Sequence, residues 1–595
     1  MASCAGPVGH GRVTGQAAPP AQPEQASAIT AKPGWMFLRQ AVAAANPLAA
    51  EVGLSVLRDG GSAVDAAVAV QMVLTLVEPQ SSGIGGGAFL MHHDGQRVQA
   101  FDGRETAPSA ANERLFLDDT GKPLSFPKAV VGGLSVGVPG TVAMLAMAHR
   151  QHGKLPWSRL LVPAIQLSEH GFPVSPRLHT LLAADTSLKA DPVAAAYFYR
   201  TDGRPHPVGH MLKNPELAAV LRQIAVQGPA ALSRGPVAQA MVDKVRQHPD
   251  NPGDMTLDDL ELYQPREREP LCHVWRASQR DLRLCGFPPP SSGAISIGQI
   301  LGLLARTPQG DSPLTNGLPG PGWLHRYTEA SRLAFADRAL YIADPDFVPA
   351  PAGRWTSLLA PAYLDQRARL ITPTRMPQAP AGQPGGAVSS WAPMSDQPEY
   401  GTSHISIADA FGNTLAMTTT IESGFGSRLM VNTNAGRSGG FLLNNELTDF
   451  SFSPTDALGK PVANRVEPGK RPRSSMSPTL VFDDTSGELL MSAGSPGGAF
   501  IIHFTAKTLL GTLQWGLSPQ AAIDLPNVAT TGGPLLLEEK RFPTDTLQAL
   551  QALGHTVNET ALTSGLQALQ RGTLNGRPVW LGGADPRREG IVAGD

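Results

Sequence analysis

The amino-acid sequence predicts a mixed α/β fold, because apolar residues recur at helical spacing through the first two thirds and at strand spacing after Gly401. From Val42 to Val77 small and apolar residues keep the helical period. Gly60-Gly61-Ser62 divides that stretch into two helices, the second buried from Val64 to Val77. Gly140-Thr141 to His152 and Trp157 to His170 read as two further helices, each closed by a glycine, Gly153 and Gly171. Thr256 is placed to cap a helix starting at Leu257. Leu324 to Tyr341 is amphipathic, with Leu324, Tyr327, Ala334, Phe335 and Tyr341 on its buried side.

Strand signals follow. Cys272-His273-Val274-Trp275 and Leu282-Arg283-Leu284-Cys285 read as a hairpin. After Gly401, the stretches His404 to Asp409 and Asn413 to Thr420 flank a tight Ala410-Phe411-Gly412 turn. A second hairpin joins Thr479 to Phe482 with Glu488 to Ser492. Helices resume at Ala499 to Leu513 and Thr544 to Leu553.

Composition narrows the function. The chain has 595 residues, 42% of them apolar, a net charge of −2, 63 Gly and 54 Pro. That supplies a large core and many turns, with no polar linker to divide one interleaved enzyme. No Lys/Arg block offers a footprint for nucleic acid, and no apolar run reaches the roughly 18 residues of a transmembrane helix. Small-molecule chemistry remains.

Residues 1 to 35, rich in Gly, Pro, Ala and Gln, are expected to form a flexible arm. Within it, Ala2-Ser3-Cys4 resembles the end of a bacterial lipoprotein cleavage site. Two placements stay open: periplasmic or extracellular with a lipid anchor at Cys4, or cytoplasmic with Cys4 incidental. Cys272 and Cys285 either form a cross-strand disulfide or stay two free thiols. Their spacing lacks paired zinc ligands, and no metal or other cofactor is expected.

Thr402 carries the chemistry. It opens a strand directly after Gly401, and cutting the Gly401–Thr402 bond would give it a free amine, a base of pKa about 7.7–8.0, beside its own hydroxyl. That is the N-terminal threonine form of nucleophilic catalysis. Gly401 tolerates the backbone strain of the N-to-O acyl shift that such a cut requires.

Seven blocks occur in order around this residue: Ser81-Ser82-Gly83-Ile84-Gly85-Gly86-Gly87, Asp102-Gly103-Arg104-Glu105-Thr106-Ala107-Pro108, Pro288-Pro289-Pro290-Ser291-Ser292-Gly293, Gly401-Thr402-Ser403-His404, Gly439 to Glu446, Arg471 to Pro478, and Gly494-Ser495-Pro496-Gly497-Gly498. Together they resemble the γ-glutamyltransferase (glutathione hydrolase) family of N-terminal nucleophile hydrolases, over roughly nine tenths of the chain.

The resemblance implies an α+β fold, a four-layer αββα sandwich built from two chains of one precursor. Residues 36–401 would form a mainly helical large subunit with part of the sheets, and residues 402–595 a small subunit opening on Thr402. It implies cleavage of γ-glutamyl amides such as glutathione through a glutamyl ester on Thr402, passed to water or to an amino-acid or peptide acceptor. Thr420 would orient the nucleophile, its hydroxyl meeting that of Thr402 across the strand pair. The N–H groups of Gly497 and Gly498 would form the oxyanion hole. Arg104, Ser474 and Ser475 would bind the substrate's α-carboxylate, and Glu446 and Asp449 its α-ammonium.

Three features depart from the family pattern. Glu422 stands where the best-known members often have Asn and adds a third carboxylate. Val431 to Ser438 forms a longer loop, and Ser451 to Lys470, where some members carry a lid, is short and lacks Tyr. Two alternatives follow: an acylase removing a glutaryl-type side chain from a β-lactam nucleus, and an inactive binding homologue.

Overall fold

The alternation of one strand shows how the layers arise. In Ser403–Ala408, Ile405 and Ile407 face a core shared with the helix Ala63–Val77, while Ala408 faces Leu569 and Trp580 of another sheet. In the computed structural model, which describes residues 29–308, 313–386 and 388–595, this pattern repeats through two seven-stranded antiparallel sheets. Cys4 and most of the N-terminal arm lie outside the described residues.

The strands of these two sheets before Gly401 are β1 (Trp35–Phe37), β2 (Ala41–Ala44), β3 (Gly87–His93), β4 (Val98–Gly103), β5 (Arg266–Arg268), β6 (Leu271–Ala277) and β7 (Arg280–Gly286). After it come β8 (Ser403–Ala408), β9 (Thr414–Thr420), β10 (Thr479–Asp483), β11 (Leu489–Gly494), β12 (Gln567–Leu574), β13 (Arg577–Ala584) and β14 (Ile591–Gly594). One sheet runs β14-β2-β8-β9-β3-β4-β5 and the other β1-β13-β12-β11-β10-β7-β6. Each sheet takes strands from both sides of Gly401.

Phe89, Met91, Phe287, Ala416, Leu480 and Phe482 pack between the sheets. A polar contact joins them too: the Ser492 hydroxyl donates to Ser406 Oγ at 2.9 Å. Within the first of these sheets the His404 ring contacts the Ser406 and Thr418 hydroxyls at 3.1 and 2.9 Å, and burial pushes its imidazole down to about 3, so it is neutral. Helices Pro47–Arg58, Ala63–Val77, Thr141–His152 and Trp157–His170 cover one outer face. Gly293–Leu304, Pro321–Tyr341 and Ile501–Leu509 cover the other. This is the α+β sandwich of four layers.

Local chemistry fixes the helix ends. Ser62 and Asp65 form a capping box, as do Thr256 and Asp259. Gly171 takes the positive φ of 98° expected after a helix, whereas Gly153 stays extended at φ −67°. Ala41–Ala44, expected within a helix, is strand β2; buried throughout, it shows no alternation by which sequence could separate it from the helix that begins at Pro47. Trp35, expected in the arm, opens β1 opposite Gly582, and Thr30 N–H donates to the Pro586 carbonyl at 2.7 Å. The helix expected over Ala499 to Leu513 opens as a 3₁₀ turn, Gly498–Phe500, and ends in a π turn, Leu510–Gln514. Cys272 and Cys285 are directly opposed in β6 and β7 and form a disulfide.

Glycines before β3 let two backbones meet. A Cβ on Gly86 would stand 2.0 Å from the Thr420 carbonyl oxygen, whereas one on Gly533 would meet nothing within 4 Å. Gly86→Ala is therefore expected to destabilise the protein by about 1–3 kcal/mol and Gly533→Ala by less than about 0.5 kcal/mol. Thermal denaturation of the two variants checks the contrast.

Candidate active site

The register of the central hairpin builds the site. Ser403 pairs with Thr419, so Thr402 comes opposite Thr420 one step further along. Gly401 bends with φ 30°, and a Cβ there would lie 2.3 Å from the Glu422 carbonyl oxygen. The Gly401 carbonyl accepts a hydrogen bond from the Thr402 hydroxyl and another, at 2.7 Å, from the Thr420 hydroxyl. Glu422 N–H donates to Thr420 Oγ1 at 2.8 Å, which turns the Thr420 proton toward Gly401. Thr420 thus reaches the carbonyl to be attacked, where sequence placed it on the nucleophile's hydroxyl.

Beside this pair lies a buried acidic cluster. Arg104 donates to Glu446 and Asp449, and to the Pro472 and Arg473 carbonyls at 3.1 and 2.8 Å. Glu105, 4.0 Å from Arg104, is in contact with Glu446. Glu422, in the left-handed region at φ 71°, accepts from Ser423 Oγ at 2.8 Å and from Asn445. Three buried carboxyls thus gather around the Arg104 guanidinium, with Glu422 close to two of them. Burial, outweighing the pull of Arg104, raises Glu105 to about 8 and Asp449 to about 6. Burial raises Glu446 as well, and raises Glu422 with help from the neighbouring Asp449 and Glu446. Among the described residues Asp449 Oδ1 has no hydrogen-bond partner although it is buried. Such a cluster holds more carboxyls than cations and can accept a further cation.

A second cationic group flanks the cut. Arg338 donates to Ser475 Oγ at 2.6 Å and to Glu399 at 2.6 Å, and Arg473 lies 3.6 Å from the same carboxylate. Ser474 turns away from it: its hydroxyl accepts from Met476 N–H at 3.1 Å. Gly497 and Gly498 take φ values of 133° and 54°, and a Cβ on Gly498 would lie 1.9 Å from the Glu399 carbonyl oxygen. The glycine turn therefore abuts the segment before the cut. Sequence reasoning missed Glu105, Arg338, Glu399 and Arg473 as members of the site. The signal for Arg338 was a charge on a helix that is otherwise buried on several sides, and for the others, position within or beside a motif block.

A strand opening on Thr402 inside this layered sandwich is the architecture of the N-terminal nucleophile hydrolases. The family model described as Gamma-glutamyltranspeptidase matches residues 49–595. The glutathione hydrolase proenzyme of Bacillus subtilis (strain 168) is 36% identical over 566 residues, covering 93% of this chain and 91% of the relative. The acylase ACY 1 proenzyme of Pseudomonas sp. (strain V22) is 34% identical, covering 91% and 92%. The crystal structure of a cephalosporin acylase from Bacillus halodurans superposes with a TM-score of 0.79 at 26% identity, over 97% of this chain and 99% of that one. The chain belongs to the γ-glutamyltranspeptidase family.

A carboxyl must be ionised to hold an ammonium, and the Asp449 carboxyl sits at about 6. The affinity of the protein, cut after Gly401, for L-glutamate is therefore expected to fall about tenfold per pH unit once the pH drops below that value. Calorimetric titration between neutral and mildly acidic pH measures it, and an affinity independent of pH would exclude these carboxyls as the ammonium site.

Proposed function

We propose that the chain cuts itself between Gly401 and Thr402 and then hydrolyses or transfers γ-glutamyl groups from glutathione and related amides. The observation that carries this reading is the Gly401 carbonyl held by the Thr402 and Thr420 hydroxyls beside a cluster with more buried carboxyls than cations. In processing, Thr402 Oγ1 attacks the Gly401 carbonyl carbon. An ester bond forms, the peptide C–N bond breaks, and the leaving nitrogen takes the hydroxyl proton. Water opens the ester, leaving a carboxylate on Gly401 and a free amine and hydroxyl on Thr402. Residues 36–401 and 402–595 then form the two subunits.

In turnover the Thr402 amine takes the hydroxyl proton and Oγ1 attacks the γ-carbonyl of the substrate. Thr420 and the N–H groups of Gly497 and Gly498 stabilise the oxyanion. The leaving amine takes the proton, and water or an acceptor amine releases the glutamyl group from the ester. The carboxylates Glu422, Glu446 and Asp449 hold the α-ammonium, while Arg104 and Ser475 serve the α-carboxylate end. Among the described residues no helix is long and apolar enough to cross a membrane, and the Cys272–Cys285 disulfide fits a periplasmic or extracellular setting.

The acylases among the similar proteins make a glutaryl side chain the competing acyl group. It lacks the ammonium, which leaves the acidic cluster without a partner. Denaturing mass spectrometry is expected to find two fragments meeting at Gly401–Thr402 in the wild type and one intact chain in Thr402→Ala. An uncut wild type would favour a binding homologue. The cut protein should prefer γ-glutamyl anilide to glutaryl anilide, and a preference for glutaryl would reverse the assignment. Thr420→Val should slow both cutting and turnover, by about 100- to 1,000-fold.

A further inference from the structure

Thr402 faces two acyl donors in succession, the Gly401 carbonyl in processing and a substrate carbonyl in turnover. One hydroxyl and one set of oxyanion donors serve both, so the chain on the acyl side of Gly401 runs where the acyl group of a substrate goes. We propose that Glu399, Tyr400 and Gly401 fill this pocket as a built-in acyl donor, with the Glu399 side chain standing in for the substrate's α-carboxylate. The inference rests on the γ-glutamyl reading above and deepens it.

Both ends of the segment carry the matching chemistry. The Glu399 side chain is largely shielded from solvent; its carboxylate accepts from Ser475 Oγ at 2.5 Å and from Arg338 Nη2 at 2.6 Å, with Arg473 3.6 Å away. Burial alone would raise its pKa, but the two guanidiniums hold it below the ordinary range and so keep it ionised. One residue on, Tyr400 N–H donates to Glu422 Oε1 at 2.9 Å. A carboxylate thus meets hydroxyl and guanidinium while an N–H donor meets a carboxylate, the polarity of an α-amino acid. Arg338 and Arg473 therefore join Arg104 and Ser475 in reading the incoming carboxylate.

The segment is docked along its length. Gln397 Nε2 donates to the Thr448 and Phe450 carbonyls at 2.5 and 2.6 Å, and the Glu399 backbone crosses Gly498 too closely for any side chain there. Docking of this kind fixes the Gly401 carbonyl against Thr402 and Thr420, which makes Glu399 a positioning residue for self-cleavage. It also blocks the pocket until the bond is cut. The cut then frees the tail from Thr402, so that substrate can exchange with it.

Two measurements test this. First, the self-cleavage rates of purified precursors are followed by denaturing mass spectrometry. Glu399→Gln is expected to cut at least tenfold more slowly than wild type, with Glu399→Asp recovering part of the rate because it keeps the charge. Second, L-glutamate is titrated into uncut proteins. Thr402→Ala should not bind it, whereas Thr402→Ala/Glu399→Ala should, because without the Glu399 anchor the tail no longer stays in the pocket. A Glu399→Gln precursor that cuts as fast as wild type, or L-glutamate binding to Thr402→Ala as tight as to the double variant, would overturn the proposal while leaving the γ-glutamyl reading intact. A wild type that never cuts would remove that reading itself.

Discussion

The hydrogen-bond register between β8 and β9 is the constraint on which the site depends. It sets Thr402 opposite Thr420, and the turn of Thr420 into Glu422 carries the first acidic side chain of the pocket. A shift of β8 by one residue would send Thr402 to the helix-facing side, away from Thr420. Several contacts prevent that shift: β8 pairs with β2 on its other edge, β9 pairs with β3, and Ser492 of the facing sheet donates to Ser406. A polar contact between sheets, costly to break once buried, thus keeps a nucleophile in place at the end of the same strand.

Electrostatics sets the second condition. Arg104 is surrounded by Glu105, Glu446 and Asp449, with Glu422 close by. Buried carboxyls in excess of buried cations cannot all ionise, so burial raises their pKa values and the cluster retains protons. Around Glu399 the balance is reversed, with Arg338 and Arg473 to one acid. The pocket is thus polarised along its length.

Much of this was legible in the sequence, and the reason differs by level. Long helices such as Thr141–His152 and Trp157–His170 were marked by period and by flanking glycine, and the central hairpin by alternation around Phe411-Gly412. The four-layer arrangement was not; it rested on the motif blocks, because periodicity does not say which strands share a sheet. β2 was misread because burial on both faces erases alternation. Within the site, Thr402, Thr420, Arg104, Glu446 and Asp449 were reached through motifs and converge in space. Arg338 and Glu399 escaped notice because their meaning depends on each other, across 61 residues of chain.

The division of both sheets between residues before and after Gly401 has a further consequence, for the reversibility of folding. β2 lies between β14 and β8, and β11 and β12 share a sheet with β1, β6 and β7. Neither product of the cut contains a complete sheet, so neither can bury its strand edges alone. The covalent chain brings these strands together in a unimolecular reaction, and the cut removes that advantage once the structure has formed. Reassembly from separated subunits would be bimolecular, with exposed strand edges free to find other partners. The mature enzyme is therefore preserved by the height of its unfolding barrier rather than by an equilibrium with its unfolded chains.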